Sequence, residues 1–192
     1  MRIAILSFAT LMTATFAPSI LPAQTTPAPR RDPFILAETT EKISPHVLAI
    51  QDKDTTPSVP NVGFVVGTRA ALVIETGLGY ANGAIVLSEA LKLAPGLPLY
   101  LVTTHVHPEH DLGANAFPAS TKMIRSTAQV KDIDEFGLQL ADFFSHRSVI
   151  EAEFLKGATF RKADITFDKG YSLDLGGVQV TPCRHGPRPH CR

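Results

Sequence analysis

THVHPEHD, residues 104–111, places three histidines and two acids in eight positions. The chain holds seven histidines in all, and three of them fall between positions 105 and 110. An isolated histidine is ordinarily a solvated or satisfied polar residue, and His46 and His146 read that way. Three histidines interleaved with a carboxylate read as metal donors. The spacing is His105-x-His107-x-Glu109-His110. Zinc takes imidazole nitrogen and carboxylate oxygen at about 2.0–2.2 Å, and neutral imidazole is the commonest protein ligand for such ions. In an extended segment, residues two apart point to one side, so His105, His107 and Glu109 can converge. His110 joins them if the chain curls, and Pro108, with its fixed φ, sets up such a turn. Two neighbouring metal positions would then share the donors, His105 with His107 and Glu109 with His110. Two ions about 3.5–4 Å apart can hold a bridging hydroxide and polarise a substrate oxygen.

The flanking sequence places this loop in an α/β fold. Leu99-Tyr100-Leu101-Val102-Thr103 is a short, almost wholly apolar run, the pattern of a strand covered on both faces. The histidines therefore follow the carboxyl end of a buried strand, where α/β sheets place ligands. Upstream, Val47–Gln51 reads as a strand. Val62–Val66 and Leu72–Ile74 read as a hairpin across Gly67–Ala70. Residues 81–94 carry Ile85, Leu87, Ala90, Leu91 and Ala94 at helical steps and stop at Pro95-Gly96. Downstream, Lys122–Arg125 reads as a strand. Thr127 is the expected cap of a helix whose apolar face is Phe136, Leu140, Phe143 and Phe144, continued by Ile150 and Phe154. Three further strands are expected, Asp164–Phe167, Tyr171–Leu175 and Val178–Thr181, the last two joined by Gly176-Gly177 in a hairpin. No solenoid-period repeat is present. The elements give layered α/β structure with mixed sheets.

Composition bounds the function. The 192 residues allow one domain and part of a second. With 44% hydrophobic and 19% charged residues, a packed core is expected. Formal net charge is zero, and without a basic stripe nothing points to nucleic acid. A small-molecule substrate is the expected partner. Met1-Arg2, the uncharged run Ile3–Phe16 and the small residues before Gln24 follow the order of a secretory signal, with cleavage expected after Ala23. The apolar run is shorter than the ~20 residues that span a bilayer, so no stable membrane anchor is expected after cleavage. Residues 24–33 read as a linker and 34–192 as the folded part. The protein is thus expected to be periplasmic or secreted, where Cys183 and Cys191 could form a disulfide.

The histidine motif resembles the His-x-His-x-Asp-His signature of the metallo-β-lactamase superfamily. The likeness extends to Asn61–Gly67 and to Leu72-Val73-Ile74-Glu75-Thr76-Gly77, which look like the two family strands that end in an Asp-Thr-Gly turn. Gly113-Ala114-Asn115 resembles the small-residue segment after the signature. The resemblance implies an αββα sandwich with metals at one edge. It assigns His105 and His107 to a first metal and Glu109 and His110 to a second, with zinc as the expected ion (one or two) and iron as an alternative. It implies metal-activated water acting on an ester, thioester, amide or similar bond.

Three departures stand out. Glu109 replaces the family's Asp, and the longer side chain either ligates or orients water as a base. Glu75 replaces the Asp of the turn, a position that steadies the ligand loop. The third departure is at the end of the chain. The family's next metal histidine follows a strand in a Gly/Ala-His-Thr/Ser segment. Here Val178–Pro187 leads instead to Arg188-Pro189-His190-Cys191-Arg192. The abrupt change of composition is expected to mark truncation or a shifted reading frame, with the C-terminal half of the sandwich incomplete. The alternative is a short variant whose site is completed by His185 or His190. Three functions follow: an exported metal-dependent hydrolase, a degenerate metal-binding domain without turnover, and a non-haem iron oxidoreductase on the same fold.

Overall fold

Alternation of side chains builds the core. A computed structural model describes residues 31–183 of the chain. Seven strands form one sheet in sequence order: β1 (Thr40–Lys42), β2 (Val47–Ile50), β3 (Val62–Val66), β4 (Ala71–Ile74), β5 (Leu99–Val102), β6 (Lys122–Ser126) and β7 (Ile165–Phe167). β1 to β4 pair antiparallel, and β4 to β7 pair parallel. The register aligns Phe64, Val73, Leu101 and Met123 in one row across four strands. All four are essentially inaccessible to solvent, and they share a core with Val86 and Ala90 of helix α1 (Gly79–Leu93). Each such side chain contributes roughly 1.5–3 kcal/mol when fully buried. A core of this extent needs no cysteine, and Cys183, the one cysteine among the described residues, is not a free thiol.

The opposite row, Ile74, Val102, Ile124 and Ile165, faces the other way. It belongs to a second cluster with Leu173 and Leu175, around the small hairpin of β8 (Leu173–Asp174) and β9 (Gln179–Val180). Gly176 and Gly177 turn this hairpin with φ of 85° and 77°. Two successive left-handed residues are what a type I′ turn requires. The layers run helix, seven-stranded sheet, hairpin. This is the mixed α/β arrangement expected from the sequence. β5 is less enclosed than its composition implies: Leu99 and Leu101 are buried, whereas Tyr100 and Val102 are half-buried, because the two-stranded hairpin covers less of the sheet than α1 does.

Between β6 and β7 the chain forms α3 (Thr127–Asp132), a π-turn over Ile133–Gly137, α4 (Leu138–Ser145) and α5 (Val149–Leu155), after α2 (Pro108–Asp111) in the histidine loop. Two expectations are corrected here. The cap of α3 is Ser126, whose hydroxyl accepts the Gln129 N–H at 3.1 Å; Thr127 lies inside the helix and donates to Asp168. The expected apolar face is also broken. Phe144 is buried, but Phe136 and Phe143 are 48% and 64% exposed. The π-turn lengthens the local repeat, so residues spaced for a continuous 3.6-residue helix no longer share a face. Phe144 packs with Leu155, Leu78 and Leu112, bringing α4 and α5 against the flank of the histidine loop.

Arg31 to Pro33, from the stretch read as linker, are tied to the fold. Arg31 pairs with Asp52 at 3.0 Å. The buried Asn82 side chain donates to the Pro33 carbonyl and accepts the Ile35 N–H. The stretch read as a secretory signal and Cys191, His185 and His190 lie outside the described residues.

Candidate metal centre

The parallel strands β4, β5 and β6 all end at the same edge of the sheet, and the histidine loop leaves β5 there. His107 is the N-cap of α2 and Pro108 its first residue, the position where a proline's missing N–H costs nothing. The single turn of helix supplies the curl that the spacing required. It brings the His110 ring to 4.2 Å from that of His105, centroid to centroid, closer than the 4.5 Å between His105 and His107. Glu109 lies beside two of the rings. Its Oε1 is 3.7 Å from His107 Nδ1 and 4.0 Å from His110 Nε2. The four side chains singled out by the motif therefore sit together. His46 and His146 do not join them: each ring Nδ1 faces a backbone carbonyl, of Val66 and Asp142 respectively.

The electrostatics divide the rings. Burial, aided by the neighbouring His110 and His107, holds His105 below its ordinary value, against the pull of Glu75 and Glu109. His110 is moved the other way. Burial is the largest single influence and pulls it down, but the Glu75 carboxylate, then Glu109 and Asp111, outweigh it and leave the ring above its ordinary value. Three of the five buried side-chain polar atoms without a hydrogen bond among the described residues lie at this site: Glu75 Oε2, Glu109 Oε2 and His110 Nδ1. Glu75 Oε2 and His110 Nδ1 approach to 3.1 Å, but off the line a hydrogen bond needs. Thr104 Oγ1 lies 2.8 Å from His105 Nδ1, which leaves Nε2 as that ring's available nitrogen.

A cation is a chemically suitable partner for this set. Imidazoles and a carboxylate are hard-to-borderline donors, and unpartnered buried polar atoms are rare unless something satisfies them. Among the described residues, however, no group of three or more His, Cys, Asp or Glu side chains closes around a metal position. The donors have the right type and neighbourhood, and the described ones alone do not complete a coordination shell.

The loop is anchored on every side. Thr76 donates to the His110 carbonyl twice, from its N–H at 2.9 Å and its hydroxyl at 3.0 Å. Glu75 accepts the Thr104 N–H at 3.1 Å. It does so from φ of 71°, a left-handed backbone that an L-residue with a side chain adopts only at a cost of about 1–3 kcal/mol. Gly113 packs so closely that a Cβ there would lie 2.2 Å from the Thr76 carbonyl oxygen. Sequence reasoning passed over the innermost anchor. Asp111, fully buried, receives both guanidinium nitrogens of Arg125, NH2 to Oδ1 at 2.8 Å and NH1 to Oδ2, while the Thr103 hydroxyl donates to Oδ2 at 2.6 Å. A signal for it was present: an arginine in the apolar strand Lys122–Ser126 must find a counter-charge if the strand is central.

His105 and Thr104 border a cavity of about 670 Å³ floored by Leu72, Ile74, Val102 and Phe167. Among the described residues, no helix is long and apolar enough to cross a membrane.

Comparison with known proteins agrees with this fold. The sequence profile described as Metallo-beta-lactamase superfamily matches residues 55–191. No curated protein sequence matches significantly. Among solved structures, a metallo-beta-lactamase from Legionella gormanii superposes with a TM-score of 0.53 at 18% identity, covering 77% of this chain and 52% of that one. A metallo-beta-lactamase from Pontibacter korlensis gives 0.52 at 20%, covering 74% and 58%. A stereoselective inverting sec-alkylsulfatase from Pseudomonas sp. gives 0.53 at 14%, covering 74% and 26%. At such identities the likeness is one of fold. The chain spans about half the length of the lactamase structures it matches.

Proposed function

The chain belongs to the metallo-beta-lactamase superfamily, which includes metal-dependent hydrolases such as β-lactamases and alkylsulfatases, and on that premise we propose that it is an exported metal-dependent hydrolase. His105 and His107 would hold one cation, and Glu109 and His110 a second, with zinc the ion that suits these donors. When bound, such a cation supplies Lewis acidity and makes water a usable nucleophile at neutral pH. The observation that carries the proposal is the grouping of three imidazoles with Glu109 beside two of them, and with buried Glu109 Oε2 and His110 Nδ1 left without a hydrogen bond.

The chain's own residues have separable tasks. Thr104 engages His105 Nδ1 and so turns Nε2 towards other partners. Glu75 orients His110 from one side while Thr76 fixes its backbone. Where Glu109 does not ligate, it would accept a proton from attacking water, a role supported by its Oε2 having no hydrogen bond. The substrate bond is an ester, thioester, amide or similar carbonyl or sulfate ester. The family name alone does not make it a β-lactam, since fold does not fix substrate.

A second reading, a metal-binding domain without turnover, is favoured by one observation: the described donors do not close around an ion. One experiment separates the two. The full chain is purified, its zinc and iron are counted by mass spectrometry, and it is assayed with a chromogenic ester, thioester, alkyl sulfate and β-lactam. Turnover that a chelator abolishes and zinc restores is the expected result. Bound metal with no turnover on any substrate would leave the second reading standing, and an absence of metal would remove both. Export rests on the charged start and apolar run of residues 1–23. A mature protein beginning at Gln24 is expected by N-terminal sequencing, and an intact Met1 would refute it.

A further inference from the structure

Arg125 is the largest fully buried side chain of the described residues, 1% exposed, and the chemistry proposed above gives it no part. It projects from β6, the strand next to the edge strand β7, two residues beyond Met123. Its fork grips Asp111, and its NH1 also donates to Thr103 Oγ1 at 3.1 Å. Gln129 Nε2 donates to the same hydroxyl at 2.7 Å, and Arg125 NH2 donates to the Arg161 carbonyl at 3.0 Å. Thr103 immediately precedes the histidine loop and Asp111 is its last residue. The guanidinium therefore ties the two ends of the loop together at its base.

A buried ion pair is a weak means of stabilising a fold. Replacing such a pair with apolar residues of similar volume is often neutral or stabilising, whereas removing one partner strands a charge. What a bidentate pair provides is geometry: the planar fork accepts a carboxylate in one orientation. Here the oriented carboxylate belongs to the residue after His110, and its hydrogen-bonded partner Thr103 lies two residues before His105. Thr76 holds the His110 carbonyl from the β4 side, and Arg125 holds the loop from the β6 side. Between them the backbone of the loop has little freedom to splay the three rings apart.

We propose that Arg125 and Asp111 are positioning residues for the histidine loop, holding its two ends so that the rings of His105, His107 and His110 stay grouped. The proposal rests on the reading of that loop as a metal site. It distinguishes the pair from a packing device, because an apolar replacement would restore the packing and would not restore the geometry.

The test compares the full chain with Arg125→Met, with the double variant Asp111→Leu/Arg125→Met, and with Arg125→Lys, which keeps the charge and loses the fork. Three readouts are taken: thermal unfolding without metal, titration with cobalt(II) followed by its visible absorption, and long-range proton–nitrogen NMR of the histidine rings in the metal-free protein. Arg125→Met alone is expected to lower stability, and the double variant to regain most of it. The double variant should still bind cobalt(II) at least tenfold more weakly, with an altered absorption band. Its ring signals for His105, His107 and His110 should move while those of His46 and His146 stay. A stable double variant with wild-type ring signals and cobalt(II) affinity would overturn the positioning role. If the double variant does not fold, Arg125→Lys decides, since unchanged ring signals and affinity there would overturn it equally. Failure of the wild-type chain to bind cobalt(II) would instead remove the metal reading, and the ring signals of the metal-free variants would still show whether the pair orients the loop.

Discussion

Replacing Gly113 with alanine adds one methyl group and removes no interaction, so its effect isolates the closeness of the histidine loop to its support. Gly113 has φ of −77° and ψ of −11°, a conformation any residue adopts. On backbone freedom alone, alanine would stabilise by about 0.4–1 kcal/mol, by narrowing the unfolded ensemble. The space is the obstacle. The new Cβ would lie 2.2 Å from the Thr76 carbonyl oxygen and 2.9 Å from Gly83 Cα. Both are backbone atoms, one next to the turn that holds His110 and the other in α1. Neither can yield as a flexible side chain would, so the loop or the helix must shift. Overpacking of this kind costs about 1–3 kcal/mol and occasionally more, and here it exceeds the entropic gain. For a domain of this size, each kcal/mol moves Tm by about 2–4 °C. The expected result is a fall in Tm of several degrees in the metal-free chain, with weaker zinc binding because the Thr76–His110 contacts are displaced. Gly96→Ala is the control: nothing lies within 4 Å of its Cβ, but φ is +75°. It should lose about 1–2 kcal/mol through backbone conformation alone and leave zinc affinity unchanged. Differential scanning calorimetry and zinc titration measure both. A Gly113→Ala protein with unchanged or raised Tm and unchanged zinc affinity would refute the close-packing argument.

Other outcomes follow from the same geometry. His105→Ala and His107→Ala should each remove most of the bound metal after dialysis, and unchanged metal content in both would eliminate the loop as the site. Glu109→Asp should retain metal if the carboxylate ligates, with Glu109→Ala losing part of it. If the carboxylate acts only as a base, Glu109→Gln should keep metal and lose rate, and full activity in Glu109→Ala would contradict both roles. Asp164 accepts the Met123 N–H at 2.8 Å, and this bond, with Lys122 and Arg161 beyond it, holds its carboxyl below the ordinary value. A depressed acid stabilises the fold above its unfolded value of about 3.9 and loses that contribution as pH falls through the folded value. Asp164→Asn should therefore have a lower Tm than the parent at pH 7, and the gap should close as the pH falls below about 4. A gap independent of pH would exclude the charge as its cause.

What was legible in the sequence was local. His105, His107, Glu109 and His110 are contiguous, and their grouping depends on the two-residue period of an extended chain and on one turn begun by Pro108, both short-range rules. The strands β2 to β6 and helix α1 were likewise marked by their own runs of apolar residues, because a strand or helix with a buried face must carry its period in its own sequence. The Gly176-Gly177 turn declared itself for the same reason.

Other features depended on partners far away in the chain. Ser126 rather than Thr127 caps α3, since β6 continues to Ser126 and uses Thr127 against Asp168, 41 positions on. Phe136 and Phe143 look like core and are exposed, because the π-turn before α4 changes the face that a spacing rule assumes to be continuous. Glu75 is expected from the motif to steady the ligand loop, but its left-handed backbone and its reach to the Thr104 N–H and the His110 ring appear only in the fold. Arg125 and Asp111 are 14 positions apart, on different elements, and no period links them. Donor type and spacing are properties of a segment and can be read from it. The orientation of those donors is set by a guanidinium, a threonine and a glycine contact that only the folded sheet brings together, since burial and long-range pairing exist only once the strands have found their neighbours.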